Sequence, residues 1–182
     1  VESGKEGIHM SIVDTSGGAE ESGLAALAGK YLTFKLDAEE FGLEILKVQE
    51  IIKMMEITRV PRTPPFVRGV INLRGKVIPV VDLRLKFDMD SRDTTDKTCV
   101  IVVTVKKAAG AVVMGIIVDE VSEVLDVAGS SIEPPPEFGG TVDTSFILGM
   151  GKIGERVVTL MDVDRVLSGE EVAAVASAGP DA

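Results

Sequence analysis

The stretch FVRGVINLRGKVIPVVDLRL, residues Phe66–Leu85, decides how this chain folds. Two runs rich in β-branched residues, Val67–Leu73 and Val77–Leu83, flank the polar sequence Arg74-Gly75-Lys76. Such runs favour a pleated, partly buried strand, and glycine can take the positive φ of a tight turn. We therefore predict a β-hairpin with a basic tip. Pro79 in the second arm predicts a sheet edge or a β-bulge, where its missing N–H does no harm.

The same hairpin occurs twice in the chain. At an offset of 80 residues, Phe66 matches Phe146, Gly69 matches Gly149 and Asp82 matches Asp162. Upstream, Phe41–Ile51 matches Met114–Val124 at an offset of 73, so the second copy carries an insertion. A repeat of this length is too long for a solenoid and predicts two related small β units.

The two hairpins differ at their tips, where Arg74-Gly75 is replaced by Gly154-Glu155. A basic tip is therefore expected in one half only. The guanidinium of Arg74 offers five donors for a carboxylate or carbonyl of a partner. An isolated arginine in a turn more often only keeps that turn solvated. Its restriction to one repeat favours a binding role, because packing alone does not require the asymmetry.

Composition limits the class of protein. Hydrophobic residues make up 45% of the 182 residues, aromatic residues only 4%, and there is no Trp, so an aliphatic core is expected. The single cysteine, Cys99, excludes an internal disulfide and favours a reducing compartment. No apolar run approaches the ~18 residues of a membrane span, and the N-terminus lacks a signal-peptide pattern. These features predict a cytoplasmic protein without direct membrane insertion.

Charge is distributed unevenly along the chain. The net charge of −10 argues against nucleic acid as a partner, because binding to phosphates needs clustered cations. Residues 57–87 hold seven basic residues and one acidic residue, whereas residues 111–182 hold three basic and 13 acidic residues. The two blocks either neutralise each other within the fold or form faces that attract different protein partners.

The ends of the chain predict little structure. Residues 1–29 contain six glycines and no sustained hydrophobic period, which predicts a disordered tail. Near the other end, Asp162 is positioned to cap a helix, and Ser168 with Glu171 matches a capping box. Residues 175–182 are expected to fray.

The sequence contains no convincing catalytic or metal-binding motif. Gly149–Gly154 matches G-x-G-x-x-G, but a strand-like segment follows where a dinucleotide site needs a helix. The chain has a single cysteine, and its single histidine lies in the tail. These two residues cannot form a usual zinc site or a catalytic triad. Cys99 lies in a run predicted to be buried, where a thiol acts as a small apolar group. We expect no enzyme activity, no cofactor and no metal.

Four ordered segments make the chain resemble the CheW family of chemotaxis coupling proteins. They are Phe41–Ile51, Arg68–Gly75, Ile78–Arg84 and Gly115–Val121. The resemblance covers about residues 30–174. It implies a mainly β fold of two intertwined five-stranded SH3-like barrels with short helices and a C-terminal helix. The first barrel is expected at about 30–88 and the second at about 97–168, with the C-terminal segment packing back.

The resemblance also implies a non-catalytic adaptor. Its partners would be the cytoplasmic tip of chemoreceptors (methyl-accepting chemotaxis proteins) and the regulatory domain of the histidine kinase CheA, in membrane-associated receptor arrays. Carried over by position, the receptor-binding residues would be Val48, Glu50, Arg74, Cys99, Val121 and Val124. The kinase-binding residues would be Ile57, Gly75 and Val77.

Two alternatives remain open from the sequence. The chain could be a CheW-like regulatory domain of a larger histidine kinase, or of a coupling protein with a response-regulator domain. It could also be a β-barrel that binds a small ligand in an interior pocket, which requires a cavity large enough to hold that ligand.

Overall fold

The computed structural model describes residues 23–108, 110–136 and 144–177. Most of the predicted tail, residues 1–22, lies outside this range, as do residues 178–182 of the predicted frayed end. The described chain is mainly β. Its strands are β1 Gly29–Leu36, β2 Glu39–Glu44, β3 Val48–Lys53, β4 Val67–Leu73, β5 Lys76–Asp82, β6 Cys99–Lys107, β7 Gly110–Val118, β8 Glu120–Val127, β9 Ile132–Glu133, β10 Ile147–Ile153 and β11 Arg156–Met161.

Short helices connect and end these strands. They are α1 Leu83–Lys86, α2 Val163–Val166 and α3 Gly169–Ser177, and single 3₁₀ turns occupy Ile45–Lys47 and Gly129–Ser131. The segment Leu46–Ile52, whose spacing suits either a helical turn or a bent strand, contains both, because β3 follows directly on the first 3₁₀ turn.

Each sheet draws strands from both repeats. One sheet has the order β8-β1-β2-β11-β10-β9 and the other has the order β3-β6-β7-β5-β4. In the described chain, strands of different repeats pair in parallel between β5 and β7 and between β11 and β2, and antiparallel between β1 and β8 and between β3 and β6. The pairings within one repeat are antiparallel. The ranges 30–88 and 97–168 therefore delimit the sequence repeats and not the two sheets. This exchange of strands is the intertwining of two barrels that the family resemblance implies.

The sheets curl so that their outer strands approach each other. In the five-stranded sheet, Thr58 follows β3 and forms an antiparallel bridge with Val70 of β4, the strand at the opposite edge. In the six-stranded sheet, β9 follows β8 and pairs with β10 in the same manner. The two-residue β9 is thus the counterpart of the Thr58 bridge, and both sheets are SH3-like barrels of five main strands.

The predicted duplication is confirmed by strand register. Gly69 pairs with Val80 in the first hairpin, and Gly149 pairs with Leu160 in the second, at the predicted offset of 80. Each of these glycines follows a register shift at the same position of its hairpin. The two repeats therefore match even in their irregularities.

Glycine is required at one position of each hairpin for close backbone approach. A Cβ on Gly69 would lie 2.1 Å from the carbonyl oxygen of Thr58, and φ there is +142°. In the second repeat a Cβ on Gly149 would lie 2.7 Å from Cγ2 of Ile132. The absence of a side chain lets the segment after β3, or β9, close its barrel against the hairpin.

Pro79 does not place β5 at an edge, contrary to one sequence expectation, because β5 lies between β4 and β7. Thr58 exchanges both backbone hydrogen bonds with Val70, so the facing Val70–Pro79 pair is not hydrogen-bonded. Parallel pairing with β7 begins only at Val80. The missing N–H of proline therefore falls just outside the ladder.

The main core is mostly aliphatic and includes residues from both repeats and from α3. Val172 and Val175 of α3 are buried in this core, so the C-terminal segment packs back onto the barrels. The predicted capping box is present, since Ser168 N donates to Glu171 Oε1 at 2.8 Å and Glu171 N donates to Ser168 Oγ at 3.1 Å. A row of four stacked rings crosses the core: Phe34, Phe41, Phe87 and Phe146.

The packed chain begins earlier than the expected boundary at Lys30. Leu24 and Leu27 pack against the cluster that contains Tyr31 and Leu160. The Tyr31 hydroxyl donates to the Leu27 carbonyl oxygen at 2.7 Å. Two leucines at a spacing of three within 24–27 provide enough apolar surface to hold this segment, despite its glycine-rich and alanine-rich surroundings.

Candidate functional site

The hairpin tip between β4 and β5 has the geometry that its sequence predicts. Arg74 and Gly75 have φ angles of 51° and 86°, which is the pattern of a type I′ turn. The Asn72 side-chain oxygen accepts a hydrogen bond from Gly75 N at 2.9 Å. A non-glycine residue with positive φ is uncommon, and the hydrogen bond from Gly75 N to Asn72 stabilises the turn that places Arg74 at the tip.

Arg74 and Glu50, two predicted receptor-binding residues, form an ion pair. One terminal nitrogen of Arg74 lies 2.7 Å from each carboxylate oxygen of Glu50. The Arg74 side chain is still 72% exposed. The contact joins the tip of the β4–β5 hairpin to the edge strand β3 across the curled sheet. It also leaves much of the guanidinium accessible to another molecule.

The second barrel contains an equivalent pair, which corrects the expectation of a basic tip in one half only. Glu123 matches Glu50 in the repeat, and Arg156 donates to it at 3.3 Å. Arg156 also binds Glu40 through two hydrogen bonds of 2.8 and 2.9 Å. Hydrogen bonding to Arg156 holds the pKa of Glu40 below its ordinary value. Arginine supplies the cation in both halves, two residues further along the second hairpin.

The apolar receptor-binding candidates lie on or beside the outer strands β3 and β8. Val48, Cys99 and Val121 are partly buried and pack against the main core. Val48 pairs with Val103, and Val121 pairs with Phe34 at the equivalent position. Val124 is 50% exposed on β8. These valines form apolar surface at the outer edge of each sheet.

Cys99 opens β6, where it pairs with Lys53 of β3 and Val118 of β7. Its thiol donates to the Lys97 carbonyl oxygen at 3.2 Å. Cys99 is only partly buried, whereas its sequence run predicted burial. It lies at the margin of the core as a small apolar group.

The kinase-binding candidates begin at the same hairpin tip, because Gly75 follows Arg74 in its turn. Gly75 is exposed at the hairpin tip and Val77 follows it on β5, opposite Asn72. Ile57 directly precedes the Thr58 bridge and packs against the cluster that contains Ile71 and Ile78. The three candidates therefore belong to the hairpin and to the segment that crosses beneath it.

Sequence reasoning missed a buried cation, Arg84, which is 6% exposed. Its Nε donates to Asp119 Oδ1 at 2.9 Å, and its terminal nitrogens bind both carboxylate oxygens of Asp37. Arg92 reaches the other oxygen of Asp119 at 3.2 Å. The network joins α1 to the β1–β2 turn and to the junction before β8. One sequence feature could have drawn attention to Arg84: it lies two residues after Asp82, which caps α1.

The void that the described residues leave within the main core is too small for a ligand. The void lined by Val81, Met114, Met161 and their neighbours has a volume of about 10 Å³. A single water needs at least about that much space. The core void therefore does not support the ligand-binding barrel.

Metal ligands and membrane-spanning helices are also absent from the described parts of the chain. Within residues 23–108, 110–136 and 144–177, no group of three His, Cys, Asp or Glu side chains is arranged to hold a metal ion. None of the helices in the same ranges is both long enough and apolar enough to cross a bilayer.

Comparison with known proteins agrees with this architecture. The CheW-like domain family model matches residues 30–171. A chemotaxis protein CheW from Klebsiella aerogenes is 44% identical over 146 residues, covering 80% of this chain and 86% of the relative. CheW of Rhizobium meliloti is 35% identical over 140 residues, covering 77% and 88% of the two chains.

A solved structure has the same fold. The crystal structure of the scaffolding protein TtCheW from Thermoanaerobacter tengcongensis matches with a TM-score of 0.69 at 35% identity, covering 80% of this chain and 96% of that one. Together with the family model and the duplicated barrels, this likeness shows that the chain belongs to the CheW family of chemotaxis coupling proteins.

Proposed function

We propose that this CheW-family scaffold couples the cytoplasmic tips of chemoreceptors to the histidine kinase CheA and so lets receptors control kinase activity. The observation that carries the proposal is the Glu50–Arg74 pair, with contacts of 2.7 Å, at a surface next to apolar edge strands. Such a surface combines a polar contact that sets orientation with apolar area that supplies affinity. The protein would act in the cytoplasm, at membrane-associated receptor arrays.

The receptor-facing surface would combine valines with the ion pair. Val48, Cys99, Val121 and Val124 would provide a shallow apolar groove for an amphipathic receptor helix. Glu50 and Arg74 would fix the orientation of that helix by polar pairing, since the guanidinium remains 72% exposed. This division explains why the pair need not be buried to affect binding.

The kinase-facing surface would begin at the same hairpin tip, where Gly75 follows Arg74, and include Ile57 and Val77. The two surfaces would adjoin at this tip without coinciding, because an adaptor must hold both partners at once. Coupling by binding alone requires no substrate, cofactor or metal, and we propose a non-catalytic role. A net charge of −10 does not favour nucleic acid as a further partner.

The proposal predicts that Arg74→Ala selectively weakens receptor binding. Isothermal titration would measure the affinity of wild type and variant for a receptor-tip fragment and for the CheA regulatory domain. We expect affinity for the receptor fragment to fall about tenfold or more, because an orienting charged contact is lost, while kinase binding changes less than about twofold. Arg165→Ala, an exposed arginine on α2, is the control and should leave both affinities unchanged.

Folding should survive the substitution, because the Arg74 side chain is exposed and surface ion pairs contribute less than about 1 kcal/mol. Receptor-dependent kinase activation in a reconstituted mixture should fall in parallel with receptor affinity. Undiminished binding of both partners by Arg74→Ala would contradict the assignment of this hairpin tip.

A further inference from the structure

Three arginines line one concavity on the first repeat. Arg59, Arg62 and Arg68 surround a depression of about 310 Å³ whose remaining lining is contributed by Val60, Pro61, Thr63, Pro64, Pro65 and Val67. The sequence from Ile57 to Val81 contains five basic residues and no acidic residue, on a chain whose net charge is −10. The depression is therefore a local cationic site on an acidic protein.

The charges at this site are only partly neutralised within the fold. Arg68 donates to Asp82 at 2.8 Å. Among the described residues, neither Arg59 nor Arg62 forms an ion pair or a side-chain hydrogen bond within the usual distances. Both side chains are exposed, so two of the three guanidinium groups remain available to an anionic ligand.

The backbone holds this segment in a fixed shape. Arg62 has a φ of +64°, a left-handed conformation that is uncommon for a residue other than glycine. Pro61, Pro64 and Pro65 restrict the neighbouring φ angles, and the Thr63 hydroxyl donates to the Val60 carbonyl oxygen at 3.0 Å. Preorganisation reduces the entropy lost on binding, which distinguishes the site from scattered surface arginines.

The position of Arg59 depends on the barrel itself. The Thr58–Val70 bridge and the side-chain-free Gly69 bring the segment after β3 against β4. Arg59 and Arg68 therefore face the same depression although they are nine positions apart in the sequence. Ile57, one of the kinase-binding candidates, lies two residues before Arg59.

We infer that this concavity binds an acidic segment, rich in Asp and Glu, of the regulatory domain of CheA. The inference rests on the proposed function, because the identity of the partner comes from there. Carboxylates suit the site, since arginine binds them through paired hydrogen bonds and a peptide can lie across the proline-lined floor. Binding would extend the kinase-facing surface from Ile57, Gly75 and Val77 to Arg59 and Arg62.

The test is a charge reversal, Arg59→Glu with Arg62→Asp; Asp is used because it tolerates positive φ. Lys30→Glu with Arg165→Glu is the matched control, since it changes net charge equally at exposed positions elsewhere. Titrations would measure binding of the CheA regulatory domain, the receptor-tip fragment and anionic phosphatidylglycerol vesicles, at about 50 and about 300 mM salt.

We expect the charge reversal to weaken binding of the kinase domain about tenfold or more at low salt, with a smaller effect at high salt, and to leave receptor binding within about twofold. The control should change kinase binding less than about threefold, through long-range charge alone. Circular dichroism should show unchanged folding, because neither arginine has a partner to lose.

Kinase binding that is equal in wild type and charge reversal would overturn the inference while leaving the proposed function intact. Loss of vesicle binding with unchanged kinase binding would also overturn it and would assign the site to lipid headgroups. If wild type itself binds neither the kinase domain nor the receptor fragment, the proposed function fails and this inference fails with it.

Discussion

Arg84 and Asp164 occupy equivalent positions in the two repeats, yet they carry opposite charges. Each follows the capping Asp of its short helix by two residues and meets a partner of opposite sign from the other repeat. Arg84 binds Asp119, whereas Asp164 accepts from Lys47 Nζ at 2.8 Å. An ion pair thus links the two repeats at both positions, with the signs of the charges exchanged, because the contact needs only that the two charges be opposite.

Arg84→Ala should destabilise the protein strongly, by about 3–5 kcal/mol, because it leaves the carboxylate of the poorly exposed Asp119 without its main partner. Arg92→Ala is the matched control. Arg92 contacts the same carboxylate but is 54% exposed, so its loss should cost less than about 1 kcal/mol. Urea unfolding of both variants measures the difference, and equal effects would show that burial does not control this network.

Gly69→Ala tests the close approach that closes the first barrel. A methyl group 2.1 Å from the Thr58 carbonyl oxygen cannot be accommodated without backbone movement, so we expect a loss of about 2 kcal/mol or more in unfolding free energy. Gly169→Ala is the control, because a Cβ at Gly169 would meet no atom within 4 Å and its φ lies outside the left-handed region. This variant should be neutral or slightly stabilising. A Gly69→Ala protein as stable as wild type would contradict the proposed closure.

At the scale of elements, the sequence predicts what is local and misses what is not. The two hairpins, the turn at Arg74 and Gly75, and the Ser168–Glu171 capping box follow from short-range patterns, and the structure confirms them. The pairing of β5 with β7 involves residues more than 30 positions apart, and no local pattern specifies it. The prediction of a sheet edge at Pro79 was wrong for this reason, because β7 pairs with β5 and makes it an internal strand.

The same limit applies to the candidate site. Glu50 and Arg74 lie 24 residues apart, and only the curled sheet brings them into contact. Arg156 escaped notice because strict positional matching places Gly154 at the site of Arg74. A long side chain can reach the equivalent glutamate from two residues away, so the ion pair is retained although the position of the arginine is not.

The link between α2 and the turn before β3 should weaken in acid. Burial raises the pKa of Asp164, but hydrogen bonds from Lys106 N and Lys47 outweigh it, and the pKa lies below its ordinary value. A lowered folded-state pKa stabilises the protein above the unfolded value, and this contribution disappears as pH falls through the folded value.

Comparing wild type with Asp164→Asn over pH 7 to 3 measures this contribution. We expect the variant to be less stable above about pH 5 and the difference to shrink below about pH 4. Asp126→Asn, whose carboxylate forms an exposed pair with Lys30, should differ little from wild type at any pH. A difference that stays constant from pH 7 to 3 would rule out the carboxylate as its source.

At the scale of the whole molecule, the exchanged strands make the two repeats dependent on each other. In the five-stranded sheet, β6 and β7 from the second repeat lie between β3 and β5 from the first. In the other sheet, β11 from the second repeat pairs with β2 from the first. A partner bound to one barrel would therefore contact strands encoded in both repeats, and the proposed adaptor could thereby hold two partners in a fixed relation.

This interdependence predicts that neither repeat folds alone. A fragment of residues 23–97 lacks the strands that separate β3 from β5, and a fragment of residues 98–177 lacks β1 and β2, so each leaves central backbone and apolar surface unpaired. Each fragment alone should show no cooperative thermal unfolding by circular dichroism, whereas an equimolar mixture should regain strand signal and a single transition. The intact chain treated identically is the control. Cooperative unfolding of residues 23–97 by themselves would show that the first repeat is an independent domain and that the strand exchange is not required for its stability.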